Sequence, residues 1–276
     1  MRLRLAACLA CLTLLAGCVQ SVFYQPDRVL YDTPARHSLK FEQVVFVSKD
    51  GTRLVGWFIP AIGYSEPRRA RGTVVHFHGN AQNMSAHWRY VDWLTQRGFN
   101  LFVFDYRGYG ASEGSPDSKG VFEDSLAALD YVRSRPDVDP ARLLVFGQSL
   151  GGTNAIAAVG SGNRAGIRAI AIEATFFSYS SIASEKLIGA GSLADDTYSA
   201  QRFIAALSPL PLLLMHGTAD TVVPFSHSER LFAKAVEPKR LVAIEGGAHT
   251  EALTPRFGAT YQDLLTDFFA AALAAD

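Results

Sequence analysis

Arg142-Leu143-Leu144-Val145-Phe146-Gly147-Gln148-Ser149-Leu150-Gly151 passes from an apolar run into a Gly-x-Ser-x-Gly turn, and Gly152-Thr153-Asn154-Ala155-Ile156-Ala157-Ala158 follows it. The order is strand, tight turn, small-residue helix. A serine hydroxyl is a poor nucleophile unless it is lifted from the surface and given a base. A turn this sharp does the lifting, and it strains the serine. Glycines two residues to either side avoid the clash that any side chain would make there. The stretch therefore predicts an exposed nucleophile at Ser149 on a strand-to-helix turn.

On either side of this block, strands and helices alternate. Apolar runs at 73–78, 101–105, 142–146, 167–172, 212–215 and 240–244 read as strands. Residues 84–96, 120–133, 225–235 and 261–273 carry helical spacing, as does the segment after Ser149. Apolar strands separated by amphipathic helices imply an α/β fold with a mostly parallel sheet covered on both faces. Ahead of it, 42–47 and 53–59 form a hairpin across Lys49-Asp50-Gly51-Thr52, and 63–71 is a surface loop. The interval 174–208 breaks the alternation and is too long for an ordinary connection. It reads as a small cap, with Phe176, Phe177 and Tyr179 lining an acyl pocket, Gly189-Ala190-Gly191 as a flexible stretch, and Asp195 and Asp196 in solvent. The bland reading is that these aromatics merely pack the cap onto the sheet.

The chain has 276 residues, 49% of them hydrophobic and 19% charged, enough for one large domain at 40–276. With 26 basic and 26 acidic residues the formal charge is zero. That argues against a nucleic-acid partner, which demands a basic surplus. Met1-Arg2-Leu3-Arg4 is a basic start, and residues 5–16 are apolar but too short to span a bilayer. Leu15-Ala16-Gly17-Cys18 resembles the lipobox of bacterial lipoproteins. The resemblance implies a signal peptide at 1–17, cleavage before Cys18, acylation of its thiol, and a tether at 18–39. A plain secretory signal or an uncleaved anchor is the competing reading. The three cysteines, Cys8, Cys11 and Cys18, all fall in this region, which suits an oxidising compartment and leaves no thiol for catalysis. Val19, in place of aspartate, points to the outer membrane of a bacterial envelope, with the protein facing the periplasm.

Five blocks together resemble the α/β-hydrolase fold, and within it the Bem46-like and serine aminopeptidase-like hydrolases. They are His78-Gly79-Asn80-Ala81, Phe104-Asp105-Tyr106-Arg107-Gly108-Tyr109-Gly110, the turn at Ser149, His216-Gly217-x-x-Asp220-x-x-Val223-Pro224, and Gly247-Ala248-His249. They stand in the family's order from about residue 40 to the C-terminus. The resemblance implies Ser149 as nucleophile, Asp220 as acid and His249 as base. It also implies an oxyanion hole from the backbone N–H groups of Leu150 and Asn80, with Ala81 the alternative to Asn80. Glu173 competes with Asp220 for the acid role. His216 and His227 read as satisfied polar positions, and Asp105 and Arg107 as organisers of the site's floor. His76-x-His78 has the spacing of a metal pair but no third ligand, so no metal or cofactor is expected.

The expected function is a lipid-anchored serine hydrolase that cleaves a small-molecule acyl substrate, a carboxylic ester, through an acyl-enzyme. An aminopeptidase-like or other amidase activity is the runner-up. A non-catalytic envelope-binding protein on the same fold is the rival class. Oligomeric state is not legible in the sequence.

Overall fold

The computed structural model describes residues 23–186 and 189–275. The predicted signal peptide and Cys18 lie outside the described residues. Strands β1 (Glu42–Val47) and β2 (Arg53–Ile59) form the hairpin, antiparallel. Strands β3 (Gly72–Phe77), β4 (Phe99–Phe104), β5 (Leu143–Gln148), β6 (Ile167–Glu173), β7 (Leu212–Gly217) and β8 (Lys239–Ile244) run parallel to one another. The sheet order is β8-β7-β6-β5-β3-β4-β2-β1, with β2 antiparallel to β4.

Successive strand residues feed opposite cores. Val75, Phe77, Phe104, Val145 and Ile172 bury on one face with α1 (Ser118–Ser134) and α2 (Leu150–Gly160). Val74, Leu101, Leu144, Phe146 and Met215 bury on the other with α4 (Thr260–Ala274), through Leu265 and Phe269. Both faces are covered, so the strands read as unbroken apolar runs rather than as alternation. The chain leaves β3 towards β4 on one side and returns to β5 on the other. The carboxyl ends of β3 and β5 therefore flank the crevice where ligands bind in open α/β sheets.

Three segments depart from the sequence reading. Residues 84–96 are not one helix but a turn at Met84–His87 and 3₁₀ turns at Trp88–Tyr90 and Asp92–Thr95. Trp88, Val91 and Leu94 are spaced by three, the 3₁₀ period, and all are fully buried. The cap contains α3 (Tyr179–Lys186), 3₁₀ turns at Ala190–Leu193 and Ile204–Leu207, and a helical turn at Ala200–Phe203. Asp196 is not simply in solvent: it accepts from Ser180 N at 3.0 Å and Ser199 Oγ at 2.7 Å, stitching the cap together. Gly191 serves packing, since a side chain there would meet Ser184 Oγ at 2.0 Å.

The third departure is at the N-terminus. From residue 23 the predicted tether is docked on the domain as a strap. Tyr24 is buried, and Gln25–Pro26 pairs in parallel with Ala81–Gln82, in the loop after β3. Asn83 Nδ2 donates to Asp27 Oδ1 at 2.7 Å and to Val29 O at 2.8 Å, fastening the strap beyond the ladder.

Candidate active site

Ser149 sits between β5 and α2 at φ 52°, ψ −122°, a conformation that costs a non-glycine residue of the order of 1–3 kcal/mol. Neighbouring hydrogen bonds hold it there. Ser149 N donates to Glu173 O at 2.9 Å, and Thr175 Oγ1 donates to Ser149 O at 2.6 Å. The flanking glycines answer to close approach. A Cβ on Gly151 would lie 2.1 Å from Phe77 O, and one on Gly147 would lie 2.7 Å from Gly152 Cα. Among the described residues, the non-glycines with positive φ are Ser38, Gln82, Ser149, Ala174 and Thr250, and of these Ser149 and Thr250 line the cavity.

His249 follows β8, in the loop carried by Gly246 and Gly247. Its Nε2 lies 3.0 Å from Ser149 Oγ, and its Nδ1 lies 2.7 Å from Asp220 Oδ2. With Nδ1–H donating to the carboxylate, Nε2 is left to accept the serine proton. Asp220, past β7, is buried and receives Val222 N at 2.8 Å and Val223 N at 2.9 Å on its other oxygen. Burial would raise its pKa, but hydrogen bonds from His216 and His249 outweigh it and hold the carboxyl well below the usual range. His216, read as a satisfied polar position, therefore has a further part. It is buried, donates Nε2–H to Val223 O at 2.7 Å, and stands 3.2 Å from Asp220 Oδ2.

Glu173 ends β6 but does not reach the imidazole of His249. One of its oxygens accepts Gln148 Nε2 at 2.7 Å, the other Ala252 N at 2.9 Å, and burial pushes its carboxyl up. Gln148 Oε1 in turn lies 3.0 Å from His76 Nε2. One buried chain thus ties Gln148, the residue before Ser149, to the loop that carries His249. His76 is spent in this chain. His78 makes separate contacts, its Nδ1 2.8 Å from Gly79 O and its Nε2 3.5 Å from Asp105 Oδ1.

Leu150 opens α2, where the first backbone N–H groups have no partner inside the helix. Leu150 and Asn80 border one cavity of about 450 Å³ over Ser149, with Ala81 beside them. The Asn80 carboxamide is engaged by the strap: its Oδ1 accepts Gln25 N at 2.9 Å. Of the three cap aromatics, Phe176 lines the cavity. Phe177 packs under the Arg230 guanidinium at 4.0 Å, and Tyr179 is buried behind the wall with its hydroxyl 3.1 Å from that of Tyr24. Asp105 accepts Met84 N at 2.7 Å, whereas Arg107, expected at the site's floor, is clamped by Asp124 at 2.7 Å and Asp50 at 2.8 Å and does not line the cavity.

Sequence reasoning missed Phe23 and Gln25, which line the cavity beside the cap, Phe23 packing on Tyr179. An aromatic pair, Phe23-Tyr24, inside a polar stretch was the available signal. It also missed Ile182, Lys186 and Val222 at the same cavity, and His87, whose imidazole burial and the neighbouring His78 push down to about 4.

The prolyl oligopeptidase family model matches residues 85–276 of this chain. The chain is 49% identical over 275 residues to the uncharacterized protein YfhR of Salmonella typhimurium, spanning 96% of this chain and 92% of that protein. It is 30% identical over 225 residues to protein bem46 of Schizosaccharomyces pombe, with 80% and 74% covered. An esterase of Pyrococcus furiosus superposes with a TM-score of 0.74 at 19% identity, over 90% of this chain and 98% of that one. That likeness carries the fold.

Proposed function

The chain belongs to the prolyl oligopeptidase family, as a Bem46-like α/β-hydrolase, and from that premise we propose that it is a serine esterase of the bacterial envelope, held on the membrane by acylated Cys18 and working through Ser149, His249 and Asp220. The observation that carries the catalytic reading is the hydrogen-bond chain from Ser149 through His249 to Asp220, at the floor of an apolar cavity.

Ser149 Oγ attacks the ester carbonyl carbon while His249 Nε2 takes its proton. The tetrahedral oxyanion faces the N–H groups of Leu150 and Asn80, each such donor being worth about 3 kcal/mol. Asp220 holds the imidazole in the tautomer that accepts at Nε2 and stabilises the imidazolium. The carbonyl–alkoxide bond then breaks, the alkoxide leaving with the proton from His249. Water, deprotonated by His249, attacks the acyl-enzyme and releases the acid.

Ester is favoured over aminoacyl amide by what lines the cavity. Phe23, Leu150, Phe176, Ile182 and Val223 make it apolar, and Lys186 is the single Lys, Arg, Asp or Glu among its described lining residues. An aminopeptidase must hold the substrate's ammonium, and a cation at the wall repels it. The purified protein should hydrolyse p-nitrophenyl butyrate with kcat/KM at least a hundredfold above alanyl p-nitroanilide. The reverse order would make it a peptidase, and inactivity on both would favour the non-catalytic binding reading.

A further inference from the structure

We propose that the substrate is a membrane acyl lipid, an ester whose acyl chain this cavity takes from the bilayer that anchors the protein. The inference rests on the hydrolase and anchor reading above and is carried by the strap. Phe23 and Gln25 form one wall of the cavity over Ser149. The wall is fastened on several sides. The Phe23 ring stands edge-on to Tyr179 at 4.9 Å, the Tyr24 and Tyr179 hydroxyls are 3.1 Å apart, and Gln25 N donates to Asn80 Oδ1 at 2.9 Å.

Cys18 precedes Phe23 by only five residues. An extended chain spans at most ~3.6 Å per residue, so the Cα of Cys18 can stand no further than about 18 Å from that of Phe23 in this wall. Anchoring therefore brings the mouth of the cavity to the membrane surface. Exposed side chains on the strap and at the cavity suit that position. Val29, Leu30 and Tyr31 continue the strap with exposed apolar side chains, and Val222 is exposed at the cavity itself. Lys186, exposed and also at the cavity, offers a cation to lipid phosphate. An apolar cavity with an exposed valine and one cation at its wall matches an acyl chain with an anionic headgroup. The bond broken is the acyl ester, and the products are a free fatty acid and the deacylated lipid.

The test uses the acylated full-length protein in phosphatidylethanolamine–phosphatidylglycerol vesicles, mixed with an equal population of protein-free vesicles carrying deuterated acyl chains. Fatty acids are read by mass spectrometry, p-nitrophenyl butyrate turnover is followed in the same samples, and Ser149→Ala is the control. Fatty acid released from the host vesicles should exceed that from the guest vesicles at least tenfold. Release no greater than with Ser149→Ala, while the soluble ester is turned over, would overturn the lipid assignment and leave the esterase reading standing. Equal release from both populations would overturn the role of the anchor. Soluble-ester turnover with no partition into vesicles would remove the anchor and this inference with it. Silence on both substrates would sink the hydrolase reading itself.

Discussion

Ser149, His249 and Asp220 form a chain in which each hydrogen bond has one sensible direction, and that makes single substitutions informative. Asp220→Asn leaves the shape intact but offers N–H where the imidazole needs an acceptor. A loss of about 10⁴-fold in kcat is expected from the wrong tautomer alone. Glu173→Gln should lose only about tenfold, because Glu173 meets the base loop through Ala252 N and not through the imidazole. Steady-state kinetics of the two variants on p-nitrophenyl butyrate decide the matter. If Glu173→Gln is the more damaging, the acid has been assigned to the wrong carboxylate.

The strap shows what a sequence hides. Its ladder is two residues long, too short for any periodicity, and its contact with Asn80 runs through a backbone N–H that no side chain advertises. The large strands were legible because burial on both faces turns them into uninterrupted apolar runs. The segment after β3 was misread as one α-helix because Trp88, Val91 and Leu94 fit a 3.6-residue and a 3.0-residue period almost equally over so short a stretch. The cap was legible as an interruption, but not which aromatic would face the cavity. Phe176 does, while Phe177 and Tyr179 are drawn to Arg230 and Tyr24. Phe23→Ala and Phe23→Trp should move the acyl-chain optimum in opposite directions, to longer chains when the wall recedes and to shorter ones when it advances. One buried CH₂ is worth about 0.8 kcal/mol, roughly a fourfold change in kcat/KM per methylene near the optimum. Profiles over C2 to C12 p-nitrophenyl esters that coincide with wild type would take Phe23 out of the acyl wall.

Buried titratable groups near the site tie the stability of the fold to pH. Burial lowers the His76 imidazole to about 3, with His87 and His78 adding to the effect, whereas in the unfolded chain it titrates near 6.5. The unfolded state therefore binds the extra proton throughout the window between those values. His76 favours the fold least at low pH: its cost is absent above about 6.5 and grows as pH falls, by up to about 1.4 kcal/mol per unit. Glu173, its carboxyl raised by burial, works in the opposite direction, so His76 is best isolated by substitution. His76→Gln keeps a donor for Gln148 Oε1 and removes the titration. Relative to wild type, its unfolding free energy should rise by about 2 kcal/mol between pH 6.5 and 5, measured by urea denaturation. Parallel pH dependences for the two proteins would show that His76 is not held neutral in the native state.

The most direct measurement of the central claim is the mass of the intact protein after treatment with a fluorophosphonate. Nucleophilic attack by an activated serine leaves one phosphonyl adduct per chain. Labelling should be stoichiometric, mapped by peptide sequencing to Ser149, abolished in Ser149→Ala and reduced by orders of magnitude in His249→Ala. An unlabelled wild-type protein, or an adduct that persists in Ser149→Ala, would contradict that claim.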